Sequence, residues 1–196
     1  YKLQINAYST YWQNKQLVKT ANDLIYNIEG VNAIHNGIEV ESNLALMEGA
    51  LSIYGILSLG DWNWENDVVA TVTSDDDRSG ATYDVEVYAG GQPVGDAPMH
   101  QLVLGAKYIS SFGLTFNPVF KFNDKHFADY DPADLGSPNL GIDQIEAYGL
   151  IDLHFNYKTG ELLPVPLNIG LHILNASDTE YFADYRDGDG GFYGSG

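Results

Sequence analysis

The 196-residue sequence contains no cysteine and only nine basic residues, against 27 acidic ones. Without cysteine there is no disulfide, thiolate zinc site, iron–sulfur cluster or cysteine nucleophile, so a bound metal must use oxygen or imidazole ligands. The formal net charge is -18 and the few lysines and arginines are scattered. Nucleic-acid binding through phosphates needs clustered basic residues and is therefore excluded.

Long hydrophobic runs and helical periodicity are also scarce. No run of about 18 apolar residues occurs, which excludes a transmembrane helix. The first residues, Tyr1-Lys2-Leu3-Gln4, show no signal-peptide pattern. A weak candidate helix runs from Gln16 to Tyr26. The chain opens in mid-alternation, and we expect it to be cut from something longer.

What the chain does contain is period-two alternation of apolar and polar residues, which predicts an all-β protein. Seven segments show this alternation, at about residues 1–8, 38–44, 51–57, 102–108, 114–122, 151–157 and 167–173. Segment 114–122 is the clearest, although Pro118 inside it cannot donate to a β-ladder and stands as one exception.

The connections between these segments alternate in length. Short turns are predicted at 47–50, 109–113 and 159–164, whereas the segments 16–31, 61–98, 124–147 and 176–196 are long, polar and irregular. The long segments hold 22 of the 27 acidic residues, so the acidity belongs to one end of the predicted structure. This pattern predicts an antiparallel up-and-down meander with a short-turn side and an acidic long-loop side.

Near-neutral strands with one apolar face, short turns at one end and long loops at the other are typical of a transmembrane β-barrel. The polar sides of the segments carry Glu39, Glu41, Asp152, His154 and His172, which we expect to face the barrel interior. A soluble β-sandwich is the alternative, but it explains the regular alternation of short and long connections poorly.

The turns also predict strand register. The turn at 47–50 aligns Glu41 with Ile56 and Asn43 with Tyr54. A hairpin centred near Leu162 places Asp152 opposite His172 and Asn156 opposite Asn168.

Several segments resemble the late barrel strands of TonB-dependent outer-membrane receptors of the Bacteroidetes type. They are NIEGV at 27–31, HNGIEVE at 35–41, LSIYGILSLGDWNW at 51–64, VGDAPMHQ at 94–101 and residues 167–181. The likeness follows the chain in order over nearly its whole length. It implies that residues 1–196 form one region, a C-terminal barrel portion of about seven strands that lacks the plug and the final strand of the family.

The resemblance also implies a location, partners and a function. We expect a bacterial outer-membrane location, contact with lipid, with the rest of the barrel and plug, and with the TonB energy-coupling complex through the plug. The family imports scarce nutrients such as siderophore–iron complexes and performs no covalent chemistry. A soluble or surface-anchored adhesin that binds calcium or carbohydrate is the alternative, and a passive porin is a third possibility.

Aromatic residues in the long segments are candidates for ligand contact, because rigid amphipathic rings provide contact area at low entropic cost. These candidates are Trp62, Trp64, Tyr83, Tyr88, Phe127 and Tyr130. By contrast, we assign Tyr8, Tyr11, Trp12 and Tyr108 to an aromatic belt at the membrane interface or to packing within the loops.

Acidic, glycine-rich stretches suggest calcium in the long loops, since Ca²⁺ prefers hard oxygen ligands on flexible backbone. The candidate ligands are Asp75, Asp76, Asp77, Asp187 and Asp189, although the complete EF-hand spacing is absent and simple solvation of the loops is the plainer interpretation. We expect no other cofactor. No glycine-flanked nucleophilic serine stands out, so the sequence does not predict an enzyme.

Overall fold

The computed structural model describes residues 1–21, 23–74, 81–128, 135–138, 141–160, 165–186 and 190–194. Strands dominate these ranges. They are β1 Lys2–Ala21, β2 Leu24–Leu46, β3 Leu51–Trp64, β4 Val68–Ser74, β5 Thr82–Val87, β6 Pro98–Ile109, β7 Leu114–Phe127, β8 Gln144–Ile145, β9 Tyr148–Lys158, β10 Asn168–Ile173, β11 Tyr181–Arg186 and β12 Gly190–Gly194. Within the described residues, no helix has the length and apolar character needed to cross a membrane.

Ten of the strands form one antiparallel sheet. Its seven main strands follow each other in the order β1, β2, β3, β6, β7, β9 and β10, so neighbours in sequence are neighbours in space. β4 continues the line of β3 along β2, β5 returns beside β4, and β8 adds to the end of β7. The predicted all-β, up-and-down meander is thus confirmed, and the β-sandwich alternative is wrong because the strands pair in a single consecutive series.

Two of the three predicted short turns are confirmed, and both join main strands at the same end of the sheet. The 3₁₀ turn Met47–Gly49 closes β2 onto β3, and residues 110–113 close β6 onto β7. At the first turn Met47 and Glu48 adopt positive φ angles, which gives the local twist that a tight hairpin needs. We call this end of the sheet the turn side and the opposite end the loop side.

Strand pairing fixes which residues share a face, because directly opposed residues point to the same side of a sheet. The predicted alignment of Glu41 with Ile56 and of Asn43 with Tyr54 is confirmed. From Tyr54 the pairing continues across the sheet to Gly105 of β6, Val119 of β7 and Asp152 of β9. The polar sides of the strands therefore form one continuous polar face.

The opposite face is apolar from β1 to β10. Many of its large side chains are exposed, including Leu3, Ile5, Ile38, Leu44, Ile53, Leu59, Leu104, Phe120, Ile151, Ile169, Leu171 and Ile173. Two carboxylates on this side of the sheet, Asp61 of β3 and Asp124 of β7, lie toward the loop-side ends of their strands, opposite Asn36 and His100. Pro118 lies on this face within β7, and the β6–β7 register is interrupted beside it because proline has no N–H to donate.

The predicted long segment 16–31 and its candidate helix Gln16 to Tyr26 are wrong. β1 and β2 continue through this region as one hairpin that closes between Ala21 and Leu24. This region contains β-branched residues that favour a strand over a helix, namely Val18, Ile25 and Ile28. Backbone pairing along β2 then outweighs the weak helical spacing. Segments 61–98 and 124–147 likewise contain strands, so the loop side is more ordered than the sequence suggests.

The predicted register of the last hairpin is also wrong, by two residues. Asn168 lies opposite Lys158 and His172 lies opposite His154, so Asp152 does not face His172. The connection runs from residue 159 to residue 167 and is longer than the predicted turn. Thr159 Oγ1 accepts a hydrogen bond from Leu167 N at 2.8 Å, which fixes where pairing resumes.

The largest buried cluster lies on the loop side. Its members are Tyr26, Ile28, Val31, Ala33, Trp64, Ala70, Val72, Val87, Ala89, Ala128, Leu135 and Ile142. Asn66 closes the break between β3 and β4, since its side chain accepts from Asn32 N at 2.8 Å and donates to Gly30 O at 3.2 Å. The loop side is therefore a folded cap with its own hydrophobic core.

Aromatic rings on the polar face lie directly over glycines of the neighbouring strand. The Tyr8 ring covers Gly37 and the Tyr54 ring covers Gly105, in each case occupying the space of a side chain. Such pairs protect the backbone beside glycine and give the ring one fixed position. Tyr54 then donates to Asn117 Oδ1 at 3.1 Å, which ties β3 to β7 across β6.

Replacing Gly105 with alanine tests this packing, because the added methyl group would overlap the Tyr54 ring. We expect Gly105→Ala to lower the free energy of unfolding by about 1–3 kcal/mol, as overpacking does in cores. Gly141→Ala is the matched control, since nothing lies within 4 Å of its added methyl group. Urea titration of both variants in detergent measures the difference, and equal stability of the two would contradict the packing argument.

Candidate functional site

The five polar residues predicted to face an interior, Glu39, Glu41, Asp152, His154 and His172, lie on the polar face of the sheet. Asp152 is the most buried of them. Its carboxylate lies 2.7 Å from the Lys121 ammonium and accepts from Asn175 N at 2.9 Å. This carboxylate thus links β7, β9 and the segment after β10.

His154 and His172 form a pair on the same face. Their Nδ1 atoms are 2.8 Å apart and the rings meet edge to face, with centroids 5.0 Å apart. One imidazole donates through Nδ1–H and the other accepts, so both rings are held by one hydrogen bond.

Near the loop side, three rings from successive strands pack against one another on the polar face, with interplanar angles of 43° and 42°. Trp12 of β1, His35 of β2 and Trp62 of β3 have centroids 4.4 Å apart for the first pair and 5.7 Å apart for the second. Trp62 Nε1 donates to the Tyr8 hydroxyl at 3.0 Å, which fixes the indole. With Lys15, these three residues form what we call the aromatic column.

Lys15 joins the column because of a β-bulge. Trp12 pairs with Ala33 and Lys15 pairs with Val31. Between these two pairs β1 therefore contains one residue more than β2. Asn14 takes up the extra residue with a positive φ and donates its N–H to Asn32 Oδ1 at 2.9 Å. The bulge turns Lys15 onto the face of Trp12, where its ammonium lies 4.2 Å from the Trp12 ring centroid.

Burial and charge both act on His35. Its Nδ1 is buried and has no hydrogen-bond partner in the described part of the chain. The pKa of His35 is lowered from its ordinary value, first because burial disfavours the imidazolium and second because the Lys15 ammonium repels it. The column therefore holds a neutral imidazole between two indoles, with one cation beside it.

The five predicted aromatic ligand contacts that the structure describes are not brought together in one site. Trp62 belongs to the column. Trp64 is only 4% exposed and packs into the loop-side core, and Phe127 is partly buried against that core. Tyr83 is 52% exposed on β5, and the Tyr88 hydroxyl donates to the Glu86 carboxylate. Tyr130 lies outside the described residues.

The four aromatic residues assigned to an interface belt or to loop packing are divided between the two faces of the sheet. Tyr11 and Tyr108 are exposed on the apolar face, where a belt would lie. Tyr8 and Trp12 contact Gly37 and His35 on the polar face, so their assignment to the belt is wrong. The signal was present in the sequence, because both share the even-numbered positions of Lys2, Gln4 and Asn6.

The calcium candidates Asp75, Asp76, Asp77, Asp187 and Asp189 lie outside the described residues. Within the ranges that the structure does describe, His, Asp and Glu side chains do not gather in groups of three or more that could hold a metal ion.

Comparison with protein families identifies the class of protein to which this sheet belongs. The family model for the TonB-dependent receptor-like β-barrel matches residues 1–176, which is most of the chain. The chain belongs to this family. A comparison with curated proteins gives no match.

In a TonB-dependent receptor the apolar face of such a sheet meets outer-membrane lipid and the polar face lines the barrel interior. In such a barrel the exposed leucines and isoleucines of the apolar face are the surface that lipid would cover. In this chain the aromatic column lies on the polar face, toward the loop side.

The lowered pKa of His35 gives a pH prediction. The folded state disfavours the imidazolium form of His35. The folding stability that depends on the neutral form is therefore fully present above the unfolded pKa of about 6.5, and it is lost as the pH falls below that value. A protonated imidazole next to tryptophan also quenches its fluorescence. We expect the quenching midpoint of the receptor to lie below pH 6.5, and Lys15→Gln to move it upward.

His35→Phe should abolish the transition, and Lys2→Gln, at the other end of β1, should leave it unchanged. A midpoint that does not respond to Lys15→Gln would mean that the Lys15 ammonium does not act on His35.

Proposed function

We propose that this chain forms part of an outer-membrane receptor that imports a scarce nutrient, such as a siderophore–iron complex, with energy supplied through TonB. The observation that carries the proposal is the division of one continuous meander into an exposed apolar face and a polar face, in a chain that belongs to the TonB-dependent receptor family. A soluble adhesin would have to keep that apolar face in water. A passive porin shares the barrel, and the family membership favours the receptor.

The partners follow from this assignment. The apolar face contacts lipid, the free edges of the sheet pair with the rest of the barrel, and a plug carries the contact with the TonB complex. The chain's contribution is wall, interior side chains and the loop-side cap. No covalent step is proposed for it.

The aromatic column is the part of the chain that we propose contacts the nutrient. Trp12 is 41% exposed, so part of its side chain remains accessible although His35 and Lys15 both contact the ring. The Lys15 ammonium beside this ring supplies a cation, in a chain where most charges are negative. An aromatic or chelate ligand with partial negative charge fits this combination of a π-face and one fixed cation.

Replacing Trp62 tests this site. We expect Trp62→Ala to reduce uptake of a ferric siderophore by about three- to tenfold, the effect of losing one aromatic contact. Tyr11→Ala is the matched control, because Tyr11 lies at a similar level on the lipid face. The measurement is iron-limited growth and radiolabelled iron uptake in a strain whose own receptor gene is replaced by each variant.

Folding of both variants is checked by heat-modifiable gel mobility. If a strain without the receptor grows normally on every ferric siderophore tested, the iron substrate is wrong. Growth lost on haem, cobalamin or a glycan would then identify the nutrient class instead.

Calcium binding in the acidic loops is a separate proposal. Asp75, Asp76, Asp77, Asp187 and Asp189 carry the carboxylates that Ca²⁺ prefers. We expect calorimetry on the intact receptor to show Ca²⁺ binding that weakens in an Asp187→Ala/Asp189→Ala variant. Identical isotherms would remove these two residues from the proposed site.

A further inference from the structure

The His154–His172 pair is a second arrangement on the interior wall that the uptake proposal does not use. The two residues lie directly opposite each other on β9 and β10, and their side chains project from the same face. Both rings reach the barrel interior, since neither side chain is buried. The backbone ladder of two paired strands fixes the separation of their Cα atoms, so the pair is held in place before any ligand arrives.

Imidazole is the commonest side-chain ligand for transition metals. The Nδ1 atoms are 2.8 Å apart. With metal–nitrogen bonds of about 2.0–2.1 Å, this separation subtends an angle of about 85° at the metal. Adjacent positions of a square-planar or octahedral ion are 90° apart, so the spacing suits Cu²⁺ or Ni²⁺ better than tetrahedral Zn²⁺.

The proton that now joins the rings is not an obstacle. One imidazole carries it on Nδ1 and donates it to the other. Moving that proton to the Nε2 of the same ring frees the second Nδ1 lone pair and leaves both rings neutral. Metal binding then requires a change of tautomer and a small rotation of the rings, with no net release of a proton.

The neighbours of the pair are polar and uncharged, except for one carboxylate that is already engaged. Asn117 lies opposite His154 on β7, and Asn156 lies opposite Gly170. Asp152 is held by Lys121 and by Asn175 N, so its charge is balanced within the sheet. The two imidazoles are therefore the donors available to an ion at this point, and water completes its coordination.

We propose that His154 and His172 form a cross-strand chelating site for a divalent transition-metal ion, Cu²⁺ or Ni²⁺, on the interior wall of the barrel. Two ligands on adjacent strands bind one ion together, so the second bond forms at high effective concentration. The site is independent of which nutrient the receptor imports.

Copper titration of the receptor containing this chain, purified in detergent, tests the site by electron paramagnetic resonance. We expect a bound Cu²⁺ whose spectrum shows coupling to two equatorial nitrogens. His154→Asn and His172→Asn should each lower the Cu²⁺ affinity by roughly tenfold or more and remove one nitrogen coupling. His100→Asn is the matched control, because His100 lies opposite Leu59 on the other face, and it should keep both couplings.

Heat-modifiable mobility confirms that each variant is folded. A folded double variant that retains the parent's Cu²⁺ affinity and nitrogen couplings would overturn the proposal. A second measurement uses the unaltered receptor: Cu²⁺ should block modification of His154 and His172 by diethyl pyrocarbonate, mapped by mass spectrometry. Modification that proceeds equally with and without Cu²⁺ would also overturn it. Neither outcome bears on the uptake of iron.

Discussion

The bilayer interior offers no water to an unpaired peptide group, and the structure of this chain depends on that constraint. Each backbone N–H and C=O in the spanning segments must pair with a neighbouring strand, which leaves a continuous antiparallel sheet as the solution. The side chains can then divide cleanly, since successive residues point to opposite faces. Charge follows the same division in the middle of the sheet, where Lys121 and Asp152 are on the polar face and pair with each other.

Where the constraint acts, the sequence predicts the fold well. Alternation identified the main strands because each one needs an apolar face toward lipid, and the tight turn after Leu46 determined the Glu41–Ile56 alignment. Where water replaces lipid, the signal weakens. Residues 16–31 do not need a lipid face, so their strands show no clean alternation and resemble a loop with some helical spacing. The predicted register of the last hairpin is wrong for another reason. Its connection is longer than a tight turn, so the residue types do not indicate where the centre of the hairpin lies.

The site shows the same limit at the level of single residues. Alternation along β1 places Tyr8 and Trp12 on the polar face. The general preference of tyrosine and tryptophan for membrane interfaces predicts the opposite face. Lys15 could not have been placed by parity, because the bulge at Asn14 shifts it by one position relative to the strand. The sequence predicts Trp64 as a ligand contact in a loop, but Trp64 is buried in a cap that is assembled from segments more than sixty residues apart. Long-range packing of this kind has no local signature.

The loop-side core changes how the acidity of the chain should be understood. A net charge of -18 concentrated in flexible loops would hold those loops apart by mutual repulsion. Instead the cap buries valines, alanines and Trp64 against one another, and Trp64 N and O bond to Gln92 and Gly91 of the returning segment. Apolar burial and backbone pairing thus fix the inner side of the cap, and the acidic residues that the structure describes beside it, Asp61, Glu65, Asp67, Asp84 and Glu86, are exposed. The aromatic column is ordered by contacts of its own: the Trp62–Tyr8 hydrogen bond and the Lys15–Trp12 contact hold its rings in position before a ligand arrives, so the ordering entropy of binding is correspondingly smaller.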